Sequence, residues 1–434
     1  MRETTYSNIV CTYCGCCCDD IEITVQDNKI TGLKKACTIS KAKYLNYNKE
    51  RLLSPLVRSN GTLKETTFEE AVDRAASILA ESRYPILYGW SSTSNEATSL
   101  GIELAETVGG VIDNTSTVCH GPTILGIHDA GESTGTLGLI RHRADLIIYW
   151  GCNPVHAHPR HMTRFFLSRG RFRKSLKERK LVVFDVRETD TSRTRTVHKF
   201  VRLNPNEDYE LLSALRSAVR GDEIEKEEVA GIPLETIEEL ADLMISCQFG
   251  VIFYGLGLTM SAGKDRNIEA ALSLVSELNS KTKFLIMPLR GHGNVTGTNK
   301  IITWQTGYPY AVDFSQGYPS YNPGDTTTVD ILSRRDCDAA LVVASDPFSN
   351  FPVETAKYLG EIPLITIDIH MTPTAMVSDV VLPSAALGIE AEGTVYRMDA
   401  VPLVAKKFIE PPEGVKSDEE VLSMILKRVR EIKG

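Results

Sequence analysis

The stretch Cys11-Thr12-Tyr13-Cys14-Gly15-Cys16-Cys17-Cys18 holds half of the ten cysteines of this 434-residue chain, and Cys37 follows it. Thiolates at such short spacing, with one more further along, are the ligands that an iron–sulfur cluster requires. We predict a [4Fe–4S] cluster whose ligands are Cys11, Cys14, Cys18 and Cys37. Four thiolates also suit zinc, although two separate pairs would be more usual for that metal. Cys16 and Cys17 leave the ligand set open, because either could replace Cys18.

The residues around this run predict a small domain of short strands. Residues 19–25 alternate polar and apolar side chains, as a half-buried strand does, and residues 29–33 follow after a turn as its partner. This hairpin would bring Cys37 back towards Cys11. A domain with so few apolar side chains would be stabilised largely by its metal.

The composition is that of an ordinary globular protein, with 42% apolar and 24% charged residues. The length predicts more than one domain. A net charge of −8 argues against nucleic-acid binding. No apolar run approaches the roughly 20 residues of a membrane span, and residues 1–5 lack the apolar core of a signal peptide. We therefore expect a cytoplasmic protein, in which clustered cysteines bind metal rather than form disulfides.

From about residue 54 a unit of apolar strand, small or polar loop, and helix repeats along the chain. Continuous apolar strands that alternate with helices indicate parallel sheets covered on both faces. Seven such strands suggest two doubly wound α/β domains. The predicted strands are 86–88, 146–149, 181–184, 251–254, 284–287, 340–343 and 364–367. We also predict a helix that starts with the capping box at 67–70 and a last helix over about 418–431.

The loops after these strands are rich in glycine, asparagine and aspartate. Ligands bind outside the carboxyl ends of the strands in open α/β sheets, and small residues there let the backbone approach a phosphate. We expect Gly255, Gly257, Asp346 and Asp368 to bind a cofactor in this way. No G-x-G-x-x-G or Walker motif is present, which argues against an ordinary NAD or ATP site.

Four motifs, in order, resemble those of the molybdopterin oxidoreductase superfamily, which includes the formate dehydrogenases. The first is the cysteine run itself, Cys-x-Tyr-Cys-Gly-x-x-Cys. The others are Gly151-Cys152-Asn153-Pro154 with His158-Pro159, Asp185-x-Arg187 with the later Asn204-Pro205-Asn206-Glu207-Asp208, and Val381-Leu382-Pro383 before Glu392-Gly393-Thr394. Each motif is weak alone, but the series is specific.

The resemblance implies a tungsten or molybdenum ion held by two molybdopterin guanine dinucleotides. It implies that the carboxylate of Asp185 accepts from the paired N–H donors of one guanine, and that Lys41 lies between cluster and pterin. The cofactor-binding residues that it implies are Gly151, Asn153, His158, Asp185, Arg187, Asp208, Glu392, Gly393 and Thr394.

A second chemical centre is predicted at Cys119-His120. By themselves these residues read as a buried cysteine beside a structural histidine. The resemblance instead implies that the Cys119 thiolate ligates the metal, as a soft ligand suits such an ion, and that His120 moves a proton. Arg290 would face formate or CO2, because its fork of N–H donors fits a carboxylate.

Within the superfamily, this combination most resembles the B subunits of the formylmethanofuran dehydrogenases. That resemblance implies an enzyme that reduces CO2 to formate with electrons from the cluster. A separate subunit would then condense the formate with methanofuran. The implied partners are a β-barrel pterin-binding subunit, an amidohydrolase-like formyl-transferring subunit and polyferredoxin subunits.

The implied architecture is a small N-terminal iron–sulfur domain plus two doubly wound α/β domains, the superfamily's domains I–III. We expect it to lack the superfamily's C-terminal β-barrel domain, since only about 40 residues follow Thr394. The expected domains are 1–53 with 379–434 for the cluster domain and a C-terminal packing segment, 54–135 with 301–378 for one α/β domain, and 136–300 for the dinucleotide-binding α/β domain.

Three other interpretations are compatible with the sequence. The chain could be a formate dehydrogenase with a detached barrel subunit, or a non-catalytic iron–sulfur electron-transfer subunit of the same fold. It could also be a zinc-stabilised α/β scaffold. Cys119, His120 and Arg290 argue against the second interpretation. Tungsten and molybdenum take the same ligand types, so the sequence does not distinguish them.

Overall fold

The computed structural model describes residues 3–434; Met1 and Arg2, which belong to the stretch considered for a signal peptide, lie outside it. The chain divides into two compact units. Unit 1 runs to Val118 and continues from His292 to Gly434, and unit 2 is Cys119–Gly291. The three-domain division expected from the sequence stays a prediction. No helix within residues 3–434 combines the length and the apolar character that a membrane crossing needs.

The elements follow in chain order. To Val118 they are β1 (Glu3–Ile9), β2 (Ile21–Gln26), β3 (Lys29–Lys34), α1 (Thr38–Asn46), β4 (Leu56–Ser59), β5 (Thr62–Glu65), α2 (Phe68–Glu81), β6 (Pro85–Gly89), α3 (Asn95–Val108) and β7 (Val111–Asn114), with a 3-10 turn at Thr115–Val118.

In unit 2 they are α4 (Gly121–Ala130), α5 (Leu137–Arg143), β8 (Leu146–Trp150), α6 (Pro154–Ala157), α7 (Pro159–His161), β9 (Lys180–Asp185), β10 (Lys199–Arg202), α8 (Asp208–Arg220), β11 (Glu228–Val229), β12 (Ile232–Pro233), α9 (Leu234–Ser246), β13 (Phe249–Tyr254), α10 (Leu256–Thr259), α11 (Asp265–Leu278) and β14 (Lys283–Pro288).

After His292 they are α12 (Val295–Thr306), β15 (Val312–Asp313), β16 (Ser320–Tyr321), α13 (Thr328–Arg334), β17 (Ala339–Val343), α14 (Pro347–Asn350), α15 (Val353–Leu359), β18 (Leu364–Asp368), α16 (Pro373–Val377), β19 (Val380–Pro383), β20 (Gly393–Tyr396), β21 (Pro402–Ala405) and α17 (Asp418–Lys433).

The N-terminal sheet carries the cysteine run between its first two strands. β1, β2 and β3 pair antiparallel in that order. Asp27 and Asn28 form the turn between β2 and β3, both with positive φ, the conformation that a tight hairpin turn requires. The predicted hairpin is confirmed.

The large sheet of unit 1 has nine strands, in the order β16-β15-β7-β6-β17-β18-β19-β4-β5. Its five central strands are parallel. Alternate residues of β6 point to opposite faces, so Leu87 joins a core with α2, α3 and α17, while Ile86 and Tyr88 join a second core on the other face. Helices therefore cover both faces, as the continuous apolar strands predicted.

Unit 2 is built on five parallel strands, in the order β10-β9-β8-β13-β14. Ile148 and Trp150 of β8 pack with α8, α9 and α11, and the intervening Tyr149 is buried on the other face. All seven strands predicted from the sequence are present in the two sheets, and the predicted helices at 68 and 418 are confirmed.

The two sheets have the same topology, although the first strand in sequence occupies a different position in each. The order β19-β18-β17-β6-β7 in unit 1 matches β10-β9-β8-β13-β14 in unit 2. In both sheets the order of the strands reverses direction once. The reversal lies between β17 and β6 in unit 1 and between β8 and β13 in unit 2. Ligands of open α/β sheets bind outside the carboxyl ends of the strands at such a reversal.

Candidate functional site

In unit 2, the loops after β8 and β9 form a small polar edge. Gly151 adopts a φ of 56°, and the side chain of Asn153 at the start of α6 accepts hydrogen bonds from Thr191, at 3.2 Å from the backbone N and 2.7 Å from Oγ1. Asp185 ends β9, and its Oδ1 accepts from the backbone N of Arg187 at 3.4 Å. Burial raises the pKa of Asp185. The predicted cofactor residues of these two loops therefore lie at one sheet edge.

Unit 1 repeats this arrangement after β17 and β18. Ala344 adopts a φ of 48°, and Oδ1 of Asp346 accepts from Thr374, at 3.0 Å from the backbone N and 2.6 Å from Oγ1. Asp368 ends β18, and its Oδ1 accepts from the backbone N of His370 at 3.0 Å. Burial raises the pKa of Asp368 to about 7, and the charges of neighbouring carboxylates add to the effect.

The two edges thus have the same construction, down to a threonine six residues after the strand-ending aspartate. The shared pattern is Asp185 with Thr191 in unit 2 and Asp368 with Thr374 in unit 1. Sequence analysis found all four loops but not their equivalence. The common spacing was the signal that could have revealed it.

Each edge has a second aspartate at the start of a helix. Asp208 begins α8, accepts from Trp150 Nε1 at 2.8 Å, and was predicted from the sequence. Asp418 begins α17, accepts from the Thr93 hydroxyl, and was missed. Both carboxyl groups are buried, which raises the pKa of each. The sequence at this position predicts only the start of a last helix.

Glycines let the loops after β8 and β13 lie directly against each other. Gly257 N donates to Gly151 O at 2.9 Å, and a Cβ on Gly257 would lie 2.6 Å from the Gly151 Cα. A Cβ on Gly255 would lie 2.7 Å from the Cys152 Cβ. Close backbone packing therefore explains these three glycines, and their contact with a cofactor stays a prediction.

Cys119 and His120 lie immediately before α4, in the same unit as Arg290. Thr259 Oγ1 donates to the Cys119 carbonyl at 3.1 Å, and His120 Nδ1 lies 3.0 Å from Thr123 Oγ1. His120 is 1% exposed, and Arg290, although charged, is only 8% exposed. Buried polar groups of this kind are costly unless something compensates them.

The electrostatics of this group favour neutral side chains beside one cation. Burial raises the pKa of Cys119 to about 11, while nearby Arg290 lowers it. Burial, together with the charge of Arg290, lowers the pKa of His120 to about 3. His120 is therefore a neutral imidazole near pH 7. A cation bound at Cys119 would displace the thiol proton, as thiolate ligation requires.

The His-Pro motif holds the backbone that carries Arg290. His158 is buried, and its Nε2 donates to the Arg290 carbonyl at 2.8 Å, which makes Nε2 the protonated nitrogen. His158 Nδ1 has no hydrogen-bond partner within residues 3–434. The contact shows how His158 positions the loop, while its predicted role as a cofactor ligand stays a prediction.

The cysteine run folds back on itself. Cys11 N donates to Cys18 O at 2.9 Å, and Cys17 N donates to Cys14 O at 3.0 Å. Burial raises the pKa of Cys11 well above its usual value, and the thiolates of Cys14 and Cys18 add to the shift. These three predicted ligands are therefore neighbours. Cys37, the fourth, caps α1 by accepting from Ser40 N at 3.4 Å.

The two additional thiols differ from each other. Cys17 Sγ donates to the Gly293 carbonyl at 3.0 Å and is fully buried in an apolar cluster with Val10 and Val395. Cys16 lies against Cys14 and lowers its pKa by hydrogen bonding. The Cys17 thiol is thus part of the apolar packing and already has a hydrogen-bond acceptor, whereas the Cys16 thiol lies beside the predicted ligand Cys14.

The type and number of the thiols fit a metal cluster, although they do not already lie in the arrangement of a metal site. All ten cysteines are free thiols. Within residues 3–434, no three His, Cys, Asp or Glu side chains have the arrangement of a preformed metal site. Crowded, buried thiols that disfavour ionisation are the kind of donors that a metal stabilises as thiolates.

The remaining predicted residues lie at or near the surface. Lys41 is exposed on α1, whereas Lys43 lines a cavity of unit 1 with Asp368 and Asp418. Arg187 of unit 2 and Glu392 of unit 1 are both exposed. Their proposed contacts with the cofactor remain predictions.

Gly393 and Thr394 fix β20 against α3. Thr394 Oγ1 and N donate to the Glu96 carboxylate at 2.6 and 2.9 Å. A Cβ on Gly393 would lie 2.7 Å from the Ser94 Cβ. This motif therefore has a structural function within unit 1.

Comparison with known proteins gives full-length matches. The family model for molybdopterin oxidoreductases matches residues 51–428. The chain is 47% identical over 430 residues to the B subunit of the tungsten-containing formylmethanofuran dehydrogenase 2 of Methanocaldococcus jannaschii, and the match covers 98% of each chain. It is 46% identical over 433 residues to the protein of that name from Methanococcus maripaludis, with 99% of each chain covered.

A solved structure has the same fold. It is a chain of the formyltransferase/hydrolase complex FhcABCD from Methylorubrum extorquens in complex with methylofuran. The TM-score is 0.70 at 23% identity, and the match covers 87% of this chain and 99% of that one.

Proposed function

Because the chain belongs to the molybdopterin oxidoreductase family, we propose that it is the catalytic subunit of a formylmethanofuran dehydrogenase that reduces CO2 to formate. The observation that carries this proposal is the group of half-buried Cys119 with buried His120 and Arg290, in a chain nearly half identical to the B subunit of such an enzyme. The group combines a soft metal ligand, a neutral proton carrier and a cation for a carboxylate.

Two dinucleotides are proposed because two equivalent sheet edges exist. Asp185 and Asp368 each end a parallel strand beside an Asx residue held by a threonine. A carboxylate at such an edge can accept from the paired N–H donors of a guanine. Each unit would therefore hold one pterin guanine dinucleotide.

Cys119 would hold tungsten or molybdenum, and tungsten is favoured because the relative from Methanocaldococcus jannaschii is named as tungsten-containing. When bound, the metal with its pterin dithiolenes supplies the two-electron chemistry that interconverts CO2 and formate. Arg290 favours the Cys119 thiolate electrostatically, because it lowers the pKa of that thiol.

Arg290 and His120 would handle substrate and proton. A buried guanidinium can bind a carboxylate through paired N–H donors in a site with little water. His120 is neutral near pH 7, since burial and Arg290 lower its pKa to about 3. One ring nitrogen of the neutral imidazole carries no proton and could take one up as negative charge develops beside it, while Thr123 holds Nδ1. Acid–base groups of this kind contribute about 10²–10⁴ in rate.

The [4Fe–4S] cluster would bind at Cys11, Cys14, Cys18 and Cys37 and bring electrons one at a time. The first three thiols are neighbours, with Cys11 and Cys18 buried and Cys14 half-buried, which supports this assignment. Cys17 would stay outside the ligand set, because its thiol already donates to the Gly293 carbonyl.

The chain would work in a multisubunit complex. The proposed partners are a β-barrel pterin-binding subunit, an amidohydrolase-like subunit that condenses formate with methanofuran, and polyferredoxin subunits. The solved chain with the same fold likewise comes from a complex, FhcABCD, which supports this proposal. We place the complex in the cytoplasm, where the ten free thiols would stay reduced.

The test is to supply the purified complex with CO2, a low-potential reductant and methanofuran, and to measure formylmethanofuran. Product formation that depends on this chain supports the proposal. Formate turnover that is independent of methanofuran and of the other subunits would instead indicate a formate dehydrogenase. A complex that contains iron but neither tungsten nor molybdenum would indicate an electron-transfer subunit.

A further inference from the structure

The crossover from β8 to β9 in unit 2 is longer and far more basic than its counterpart in unit 1. It spans residues 151–179, whereas the crossover from β17 to β18 spans residues 344–363. The first contains eight Arg or Lys residues and one Glu, and the second contains one Lys and three Asp or Glu residues. Since the two sheets have the same topology, the shared fold does not require these cations.

The last part of this crossover folds against the end of α5. The backbone N of Arg171 donates to His142 Nδ1 at 2.9 Å. The buried guanidinium of Arg179 donates to the Arg141 carbonyl at 2.6 Å and to two carbonyls of its own crossover. Arg173 forms an ion pair with a half-buried aspartate just before β8. The side chains of Arg173 and Arg179 therefore hold the loop in place.

Six other cations form an exposed surface, which we call the basic surface. All six side chains are exposed, and none of them forms an ion pair within residues 3–434. They are Arg143, Arg169, Arg171, Lys174, Lys177 and Lys180. Like charges at such close spacing repel one another, and this repulsion is relieved when an anionic group binds among them.

Apolar side chains are exposed within the basic surface. Phe172 is 51% exposed, and the Cζ atoms of Arg143 and Arg171 lie 4.4 and 5.7 Å from the centre of its ring. Leu176 is 45% exposed. Arginine and aromatic side chains are enriched at the centres of protein–protein interfaces. The basic surface thus has the composition of an interface rather than that of a purely solvated loop.

The basic surface lies at the edge of the sheet opposite to the proposed cofactor site. Lys180 is the first residue of β9 and Arg143 precedes β8, so both lie at the amino ends of these parallel strands. The loops proposed to bind a dinucleotide follow the carboxyl ends of the same strands. The cations of the basic surface are therefore not part of that site.

We propose that the basic surface binds an acidic surface of another subunit of the complex. The proposal rests on the proposed function and extends it, because it states where a partner binds this chain and through which chemistry. Guanidinium groups pair with carboxylates through two N–H donors, and complementary charge speeds association and fixes the orientation of the partner. The apolar side chains would be covered in the same contact.

The charge of the chain favours a protein as the occupant over a nucleic acid. The net charge is −8, so a long polyanion would be repelled beyond the limits of this one surface. A folded acidic partner needs to match only the surface itself. The exposed Phe172 and Leu176 also gain more from an apolar protein contact than from a phosphate backbone.

The test changes two exposed lysines of the basic surface, Lys174→Glu with Lys177→Glu, in the full complex. Lys226→Glu with Lys264→Glu is the matched control, because it makes the same change of charge at exposed positions of unit 2 outside the basic surface. Phe172→Ala is a second variant, which keeps every charge and removes an exposed ring.

The measurement is the amount of each partner subunit that stays bound to this chain as the salt concentration rises from about 0.1 to about 1 M, which shortens the range of charge interactions. We expect the double variant to bind one partner about tenfold to a hundredfold more weakly, because carboxylates then face carboxylates. Phe172→Ala should bind that partner severalfold more weakly, and the control should match the wild type. Retention of every partner by the double variant at all salt concentrations would overturn the proposal.

Cross-linking of the wild-type complex identifies the occupant without any variant. A carbodiimide joins lysine amines directly to carboxylates, so we expect links from Lys174 or Lys177 to an aspartate or glutamate of another subunit. Links to a second copy of this chain alone, or co-purifying RNA that only the double variant loses, would show a different occupant and overturn the proposal. A complex that gives the expected links but forms no formylmethanofuran would overturn the proposed function alone.

Discussion

At the scale of single residues, Arg290 is a buried charged side chain that acts electrostatically on both Cys119 and His120. His158 fixes the backbone carbonyl of Arg290 at 2.8 Å, so the loop is held without using the guanidinium. The guanidinium lowers the pKa of Cys119 and that of His120. One cation thus favours the thiolate of Cys119, the proposed metal ligand, and keeps the neighbouring imidazole neutral.

Replacing Cys119 by alanine should abolish CO2 reduction and remove the tungsten or molybdenum, because the proposed thiolate ligand is lost. The [4Fe–4S] spectrum should remain, since its ligands lie elsewhere in the chain. Cys247→Ala is the control, as it removes a half-buried thiol of the same unit whose Sγ donates to Met244 O. Normal turnover of Cys119→Ala would show that the metal-ligand assignment is wrong.

Replacing Arg290 by lysine should weaken substrate binding although the charge is kept. A lysine cannot form the paired N–H contact with a carboxylate, so KM should rise about tenfold to a hundredfold, in line with one lost charged hydrogen bond. Steady-state kinetics with formate or CO2 measures this. Arg202→Lys, at an exposed position, serves as control. An unchanged KM would contradict the role given to Arg290.

At the scale of elements, the strands were predictable and the site contacts only in part. Strands such as 146–149 and 364–367 are continuous apolar runs. All seven could be predicted because a strand that is buried on both faces shows this pattern in its own sequence, whatever it packs against. Short strands such as β7 and β10 were missed, since they carry polar residues whose environment depends on tertiary packing.

The contacts of individual site residues were less accessible to sequence analysis. Gly151 and Gly257 were expected to bind a cofactor, but their backbones approach each other. Asp418 was overlooked because its partner Thr93 lies far away in sequence. A sequence motif shows which residues are unusual, whereas the identity of their neighbours depends on the fold.

Variants of the cysteine run can test which of its thiols bind the cluster. Cys17→Ala should keep the four irons of the cluster and lower the free energy of unfolding by about 1 kcal/mol, because a small cavity replaces the buried thiol. Cys18→Ala should lose iron. Iron analysis and denaturant unfolding of both variants measure this. Loss of iron from Cys17→Ala would place Cys17 among the ligands.

At the scale of the whole molecule, the same five-strand topology occurs in both units. Each provides a pair of aspartates at its sheet edge, Asp185 with Asp208 and Asp368 with Asp418. This duplication supports the proposal that the chain binds two copies of one cofactor. In the proposed function, the cluster bound by the cysteine run transfers electrons. CO2 would be reduced at the metal bound by Cys119.

Unit 2 should lose stability in acid because it buries neutral histidines. Burial lowers the pKa of His161 to about 3, whereas its unfolded value is about 6.5. Between these values the unfolded chain binds the extra proton, so this contribution is complete above pH 6.5 and is lost as the pH falls towards 3. The free energy of unfolding changes by about 1.4 kcal/mol per pH unit in this range because of this one group.

His161→Gln should therefore flatten the pH dependence of the free energy of unfolding by about that amount. His156→Gln, at an exposed position, should leave the dependence as it is. Urea unfolding at several pH values between about 4 and 7 measures the slope. Equal slopes for the wild type and His161→Gln would contradict the assignment of a neutral buried imidazole.

The most direct test of the central claim is the composition of the purified complex. The account predicts one tungsten or molybdenum, four irons and two guanines for each copy of this chain, with the tungsten or molybdenum lost from Cys119→Ala. Iron without tungsten, molybdenum or guanine would contradict it and would leave the chain as a carrier of electrons only.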